Sequence, residues 1–459
     1  MHGTASRERF SSKRALRFVP LAALVAVYLA LGVGYQRGIP LFEGPDEPSH
    51  LEVAGFIATH GRPPYADGQF EVAGEGMQPP LYYAFVAALY GVTVEDEALL
   101  VDLHYVGLGL YDKDHPTAFR RSKRIRFRPS GSRLFAPNPQ LEHLRGLRWP
   151  SLAFGCAAVV ITFLAALRAF ASVPVATTST ALLAFNPQFL FVSSYVTNDP
   201  SAAAVGAASL WLVADVSRDG PRLRHYLALS FVCAVGMLVK LSTLLPLAAT
   251  AVAIFAIDAR PLGRRLRDAA SACALLAALL VPQLVWNSAH RGGPLGTRAF
   301  WAAAEELPSR VDWSGPLHYL TRVYPRLVFE SYWARFGWMT VRAPDPFYWG
   351  LLALSGLGLA GFGLGDPADT SRGFRRYLAL AVAACLAAHL WINLRYPAGQ
   401  GRHLFPVAPH VACMLGWGIL RLCGGPLTRI GRIASVAIPI GMALLALYGL
   451  IGILVPAYT

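Results

Sequence analysis

Charge is what this sequence is short of. Charged residues make up 15% of 459 positions and hydrophobic residues 54%, whereas a soluble globular protein carries about 25% charged residues. That shortage excludes a soluble enzyme with a simple anchor. Cysteine is also sparse. The six cysteines (156, 233, 273, 385, 413 and 423) lie in or beside apolar segments with no CxxC spacing, which excludes a disulfide framework and a zinc site and reads as small core residues. Lysine is scarcer still, with 4 against 37 arginines, a bias we attribute to genome composition. There is no long low-complexity linker and no visible internal repeat, and the lack of an inverted repeat speaks against many secondary-transporter folds.

Long apolar runs are abundant. Phe18–Tyr35, Trp149–Leu167 and Ile433–Val455 are each long enough to cross a hydrocarbon core of about 30 Å. The formal charge of +14 sits mainly in short loops between such runs, the positive-inside pattern, so a nucleic-acid role is not indicated. The basic N-terminus lacks a small-residue cleavage signal after its apolar stretch, so that stretch is kept as the first span. The remaining expected spans are Val175–Tyr195, Pro200–Val216, Tyr226–Val239, Leu241–Ile257, Ala269–Trp286, Phe347–Leu364, Tyr377–Leu394 and Leu404–Leu420. The expectation is one all-α polytopic membrane domain over residues 1–459 with about eleven transmembrane helices, the N-terminus cytoplasmic and the C-terminus outside. Residues 36–148 form a first outer loop and 287–346 a second.

Within the first loop, Ser49–His60 reads as an interfacial helix ended by Gly61, and Pro79–Val92 as another, too short to span. The basic run Arg120–Arg148 reads as a solvated or lipid-facing surface.

On this topology the unusual polar residues collect at one water–membrane boundary. The stretch Gly44–His50 brings Asp46, Glu47 and His50, and Gln78–Tyr83 brings Gln78, Tyr82 and Tyr83. Asp199 lies between two spans, Lys240 at the turn of a pair of short ones, Arg335 among aromatics, and Arg402 and His403 at the start of another span. Each has an ordinary role open to it. Asp46, Glu47 and Asp199 suit helix starts. Arg402, His403 and Lys240 can snorkel, Arg335 can make a cation–π contact, and the tyrosines can belong to an aromatic belt. Their conjunction is what favours function. A substrate matched to the set has a phosphate for Arg402, Lys240 or Arg335, an apolar part for the lipid, and a reaction assisted by a carboxylate. A polyprenyl-phosphate sugar meets all three demands.

Several of these motifs resemble the GT-C superfamily of membrane glycosyltransferases, which includes protein O-mannosyltransferases and aminoarabinose transferases. The matching residues are the acidic pair Asp46-Glu47 after the first span, Gln78-Pro79-Pro80-Leu81-Tyr82-Tyr83, and Asn198-Asp199. Pro45–His50, Tyr332–Trp338 and Gly401–Pro406 look like a bacterial branch of such proteins. The resemblance implies a hexosyl- or pentosyltransferase on the outer face of the bacterial plasma membrane, using a polyprenyl-phosphate sugar donor and a cell-envelope glycan or lipid acceptor. It implies Asp46 as general base, Glu47 as its catalytic neighbour in orienting the acceptor, and Asp199 as a second active-site acid. His50, Gln78, Tyr82, Lys240, Arg335, Arg402 and His403 are the expected substrate-binding residues. In some relatives the acids hold a divalent metal, and nothing in this sequence shows one. The chain departs from the pattern in lacking a large soluble C-terminal domain and in the basic insertion near residues 93–148. A flippase or exporter that binds a lipid-linked sugar without transferring it is the rival reading, and a scaffold without substrate a third.

Overall fold

In hydrocarbon every backbone amide must find its partner within the protein, so long apolar segments become helices. The computed structural model describes residues 16–67, 69–72, 74–90, 139–298, 316–364, 372–394 and 399–458. Among them, 8 helices are long and apolar enough to cross a membrane, running from Leu16–Gly38 to Arg429–Tyr458. Three shorter apolar helices, Val173–Ala184, Leu223–Val239 and Leu241–Ile257, occupy the stretches where the other three spans are expected. The chain is a predominantly helical, multi-pass membrane protein.

The expected single span Val175–Tyr195 is in fact broken. Helix Val173–Ala184 ends near Phe185, and a second short helix runs Pro187–Val192. Proline cannot donate a backbone bond inside a helix. Here Pro187 begins the new one, and the Asn186 side chain accepts from the amides of Gln188 and Phe189 at 2.9 and 3.3 Å. The break returns the chain early, so that Tyr195–Asp199 forms a fully buried turn at one end of the bundle.

Helix Asp199–Asp219 lies at the centre, packed along Trp149–Phe170 and crossed by the short 3-10 segment Gly401–Val407. Close packing here depends on small residues, as is usual between helices in membranes. A Cβ on Gly206 would lie 1.8 Å from the Pro406 carbonyl oxygen. Only glycine lets Gly401–Val407 rest on the central helix, and that contact brings Arg402 toward Asp199.

The first helix, Val19–Gly38, hands the chain to a tight turn and then to helix Glu47–His60, ended by Gly61 in the left-handed conformation (φ 65°). After Pro79-Pro80 a helix runs Leu81–Tyr90. The basic insertion lies outside the described residues up to 138. Arg148, the last residue of the basic run, is described, and there the surface reading fails: it is fully buried. The short hairpin Arg335–Phe336/Val341–Arg342 follows helix Tyr324–Trp333. It is tied down by the Trp338 indole, whose Nε1 donates to the Phe42 carbonyl at 2.9 Å.

The close approach at Gly206 is directly testable. Gly206→Ala gains up to about 1 kcal/mol of helix preference, but overpacking against rigid backbone costs about 1–3 kcal/mol. The thermal midpoint of the detergent-solubilised protein is expected to fall, and an unchanged or raised midpoint would remove the packing argument.

Candidate active site

The turn before the second helix carries the first acid. Asp46 precedes helix Glu47–His60 with φ +64°, a left-handed conformation unusual for a residue other than glycine. Its side chain makes no capping bond, contrary to the helix-start reading. The carboxylate instead pairs with the Arg402 guanidinium. Gly44 allows the turn to lie flat on Tyr195, since a Cβ there would sit 2.3 Å from that ring.

Asp199 opens the central helix and is 1% exposed. Lys240 Nζ reaches its Oδ1 at 2.5 Å, and Arg402 Nη1 lies 3.7 Å from its Oδ2. Lys240 closes helix Leu223–Val239 and also donates to Asn198 Oδ1 at 3.1 Å. Asn198 in turn donates to Gln78 Oε1 at 3.2 Å. Arg402 is held by Gln400 Oε1 at 2.7 Å, the Tyr195 hydroxyl at 3.2 Å and the Pro45 carbonyl at 3.4 Å. Four remote parts of the sequence thus form one alternating row: Asp46, Arg402, Asp199 and Lys240. Two acids face two bases, so the row is self-neutral, as a charged group at such a depth must be.

Around the row stand His50 and His403. The His50 ring is buried, stacked on Tyr83 and within 2.8 Å of its hydroxyl. Burial holds its imidazole neutral, with a pKa down to about 3. Burial alone would raise the Asp46 carboxyl, but the neighbouring Arg402 holds it below the ordinary carboxylate value. The His403 ring packs edge-on to His389, with centroids 5.7 Å apart. Tyr82 serves the frame, since its hydroxyl meets Ser151 Oγ at 2.7 Å and accepts from the Thr197 amide at 3.0 Å.

Two further expected site residues are placed differently. Glu47 is fully buried and faces Arg148 in a two-pronged pair at 2.7 and 2.8 Å. It also accepts from the amides of Phe42 at 2.9 Å and Val196 at 3.3 Å. With every lone-pair direction taken, it has the geometry of an anchor rather than of an acid open to substrate. Arg335 joins Glu330 at 3.1 Å and the Met339 carbonyl at 2.9 Å. Glu330 already pairs with Arg326 and Arg342, so Arg335 belongs to a separate network that shapes the hairpin.

The structure adds a residue that the motifs did not single out. Glu75 lies in the short turn Gly74–Met77, hydrogen-bonded to the Gln78 side chain. Burial, and then the charge of Asp46, push its carboxyl up to about 7. The turn is clamped by Arg291, which donates to the carbonyls of Pro64, Met77 and Gln78 at 3.1 to 3.3 Å. Neither Glu75 nor Arg291 belongs to a motif. Only the three-dimensional packing of the two loops brings them to the site.

Among the described residues no group of three or more His, Cys, Asp or Glu side chains is placed to hold a metal. Asp46 and Asp199 are already engaged by cations. Placed in this way, these residues do not fit a metal.

Two tests follow from this geometry. Removing one partner of a buried ion pair typically costs about 3–5 kcal/mol, because the other charge is stranded. Glu47→Gln and Arg148→Met are each expected to lower the thermal midpoint sharply, and the double variant to recover part of the loss. Full additivity of the two single losses would refute the pairing. For Glu75, the unfolded value is 4.5 and the folded one about 7. Between them the native state binds more protons than the unfolded chain, so stability falls as pH rises through that window. Glu75→Gln should flatten the dependence of the melting temperature on pH there, and an unchanged slope would count against the assignment.

A family model described as dolichyl-phosphate-mannose-protein mannosyltransferase matches residues 141–286, a stretch containing Arg148, Asp199 and Lys240. No curated protein matches the chain. Among solved structures, the chain is similar to ArnT from Cupriavidus metallidurans bound to undecaprenyl phosphate, at 14% identity and a TM-score of 0.50, covering 95% of this chain and 76% of that one. It is also similar to the Archaeoglobus fulgidus oligosaccharyltransferase tethered with an acceptor peptide, at 15% identity and a TM-score of 0.49, covering 96% of this chain and 55% of that one. The chain shares the fold of that ArnT structure.

Proposed function

We propose that the protein is a glycosyltransferase that moves a sugar from a polyprenyl-phosphate-linked donor to a cell-envelope acceptor at the outer face of the bacterial plasma membrane. The observation that carries this reading is the row Asp46–Arg402–Asp199–Lys240 at one end of an apolar bundle. The row offers cations for a phosphate beside lipid, and a carboxylate, Asp46, that is 32% exposed. The ArnT structure in complex with undecaprenyl phosphate supports a lipid phosphate as the class of donor.

In this reading the lipid lies along the spans and its phosphate sits against Arg402 and Lys240. An acceptor hydroxyl attacks the anomeric carbon and a new C–O bond forms. The bond between that carbon and the phosphate oxygen breaks, and the phosphate keeps the electron pair. Asp46 takes the hydroxyl proton, while the two cations stabilise the charge gathering on the leaving phosphate. Asp199 holds Lys240 and Arg402 in place. His50, Gln78 and His403 contribute polar contacts to the sugar. Glu47 and Tyr82 act as positioning residues, and Arg335 shapes the hairpin beyond the site.

Incubating the purified protein with a polyprenyl-phosphate sugar and candidate acceptors tests the assignment. Asp46→Asn preserves shape and removes the base, so transfer should fall by about 10²–10⁴-fold while the donor still binds. Transfer at the normal rate by this variant would sink the role given to Asp46.

A further inference from the structure

The row presents a difficulty for the reading just given, on which this inference rests. Both cations meant for a phosphate are already bonded to carboxylates, and the carboxylate meant as base is already bonded to a cation. A paired carboxylate is a poor base, because the neighbouring positive charge favours its ionised form. The row is therefore complete, and idle, without substrate.

The two acids are not equivalent. Asp199 is 1% exposed, holds Lys240 at 2.5 Å and lies 3.7 Å from Arg402, so losing Arg402 leaves it paired. Asp46 is 32% exposed. No arginine or lysine among the described residues other than Arg402 is bonded to it. Arg402 itself is 6% exposed and fixed from behind by Gln400, Tyr195 and the Pro45 carbonyl. The guanidinium is held in place, whereas the Asp46 side chain is partly exposed. An anion arriving at this row displaces the partner that is exposed and singly held, and that partner is Asp46.

We propose that Arg402 locks Asp46 and that the phosphate of the lipid-linked donor is the key: by taking over the Arg402 guanidinium it releases the Asp46 carboxylate toward the acceptor. The phosphate presents two oxygens to the planar fork where Asp46 presents one. Once released, the carboxylate regains the proton affinity that a base requires. It does so only when a donor is present, so the donor binds before the acceptor is activated. The other charged and titratable groups facing Asp46 are His50, His403, Glu75, Tyr83 and Tyr195, and none of them replaces the bond to Arg402.

Coupling of this kind is reciprocal. If the phosphate loosens Asp46, then removing the charge of Asp46 must tighten the phosphate. Undecaprenyl phosphate is the probe, with the uncharged polyprenol of equal length as control, each titrated into the folded full-length protein in detergent. Asp46→Asn should bind the phosphate roughly tenfold more tightly than the wild type, the scale of one charge-assisted hydrogen bond at a partly exposed site. Asp46→Ser serves as a second variant should the first fold poorly. Adding Arg402→Gln should erase the gain, and the polyprenol should bind all forms alike. Equal or weaker phosphate binding by both Asp46 variants overturns the lock while leaving the donor reading intact. A gain that survives Arg402→Gln also overturns it. Failure of every form, wild type included, to bind the phosphate overturns the lock and the donor reading together.

Discussion

The buried pair of Glu47 with Arg148 is the interaction on which the rest of the site depends. Arg148 stands at the entrance of the second long helix and spends its donors on Glu47 and on the carbonyls of Gln36, Ile39 and Pro40. Glu47 gathers the amides of Phe42 and Val196. One ion pair thus joins the end of the first span, the turn after it and the buried turn leading to Asp199. Desolvating two charges is expensive, and the cost is offset only when every remaining polar valence is met, as it is here. The adjacent Asp46 is then presented from a fixed backbone, in a left-handed conformation that only such surroundings sustain.

Adjacent acids therefore do opposite work. Asp46 stands just before the helix in a left-handed conformation, and it pairs with Arg402 while Glu47, the first helical residue, turns into the protein. The sequence alone could not divide them, because an Asp-Glu pair reads the same whichever member is buried. The partner that decides the matter is Arg148, 101 residues away, at the end of a basic run that suggests a solvated surface. Sequence reading assigns the whole run to one environment, although its last member is among the most buried arginines of the chain.

Much of the fold was legible because lipid imposes a strong code. Apolar length marks helices, and short arginine clusters mark their ends. The helix Glu47–His60, its Gly61 stop and the Lys240 turn could be read from local signals. The break at Asn186-Pro187 could not be read so directly, because hydropathy continues across it and only the Asn-Pro start distinguishes it. At the site, Asp46, Asp199, Lys240 and Arg402 were each visible as costly charges near a boundary, and the structure joins them. Arg335 looked equivalent by the same criterion, yet Glu330 claims it. Glu75 and Arg291 escaped notice because loop residues carry no periodicity, and their meeting depends on contacts more than 200 residues apart in sequence.

A site at the edge of a membrane has to remain folded when empty and react when full. Isolated cations waiting for a phosphate would strand charge where solvation is poor. Pairing them with Asp46 and Asp199 removes that penalty, at the expense of Asp46, whose proton affinity falls. The two demands are reconciled if the substrate brings its own negative charge into the row. The lipid phosphate then completes a new set of pairs, and the carboxylate it displaces is freed at the moment it is needed. The unequal burial of Asp199 and Asp46 gives this exchange a direction: the deeply held acid keeps the cations in place, and the exposed one is let go.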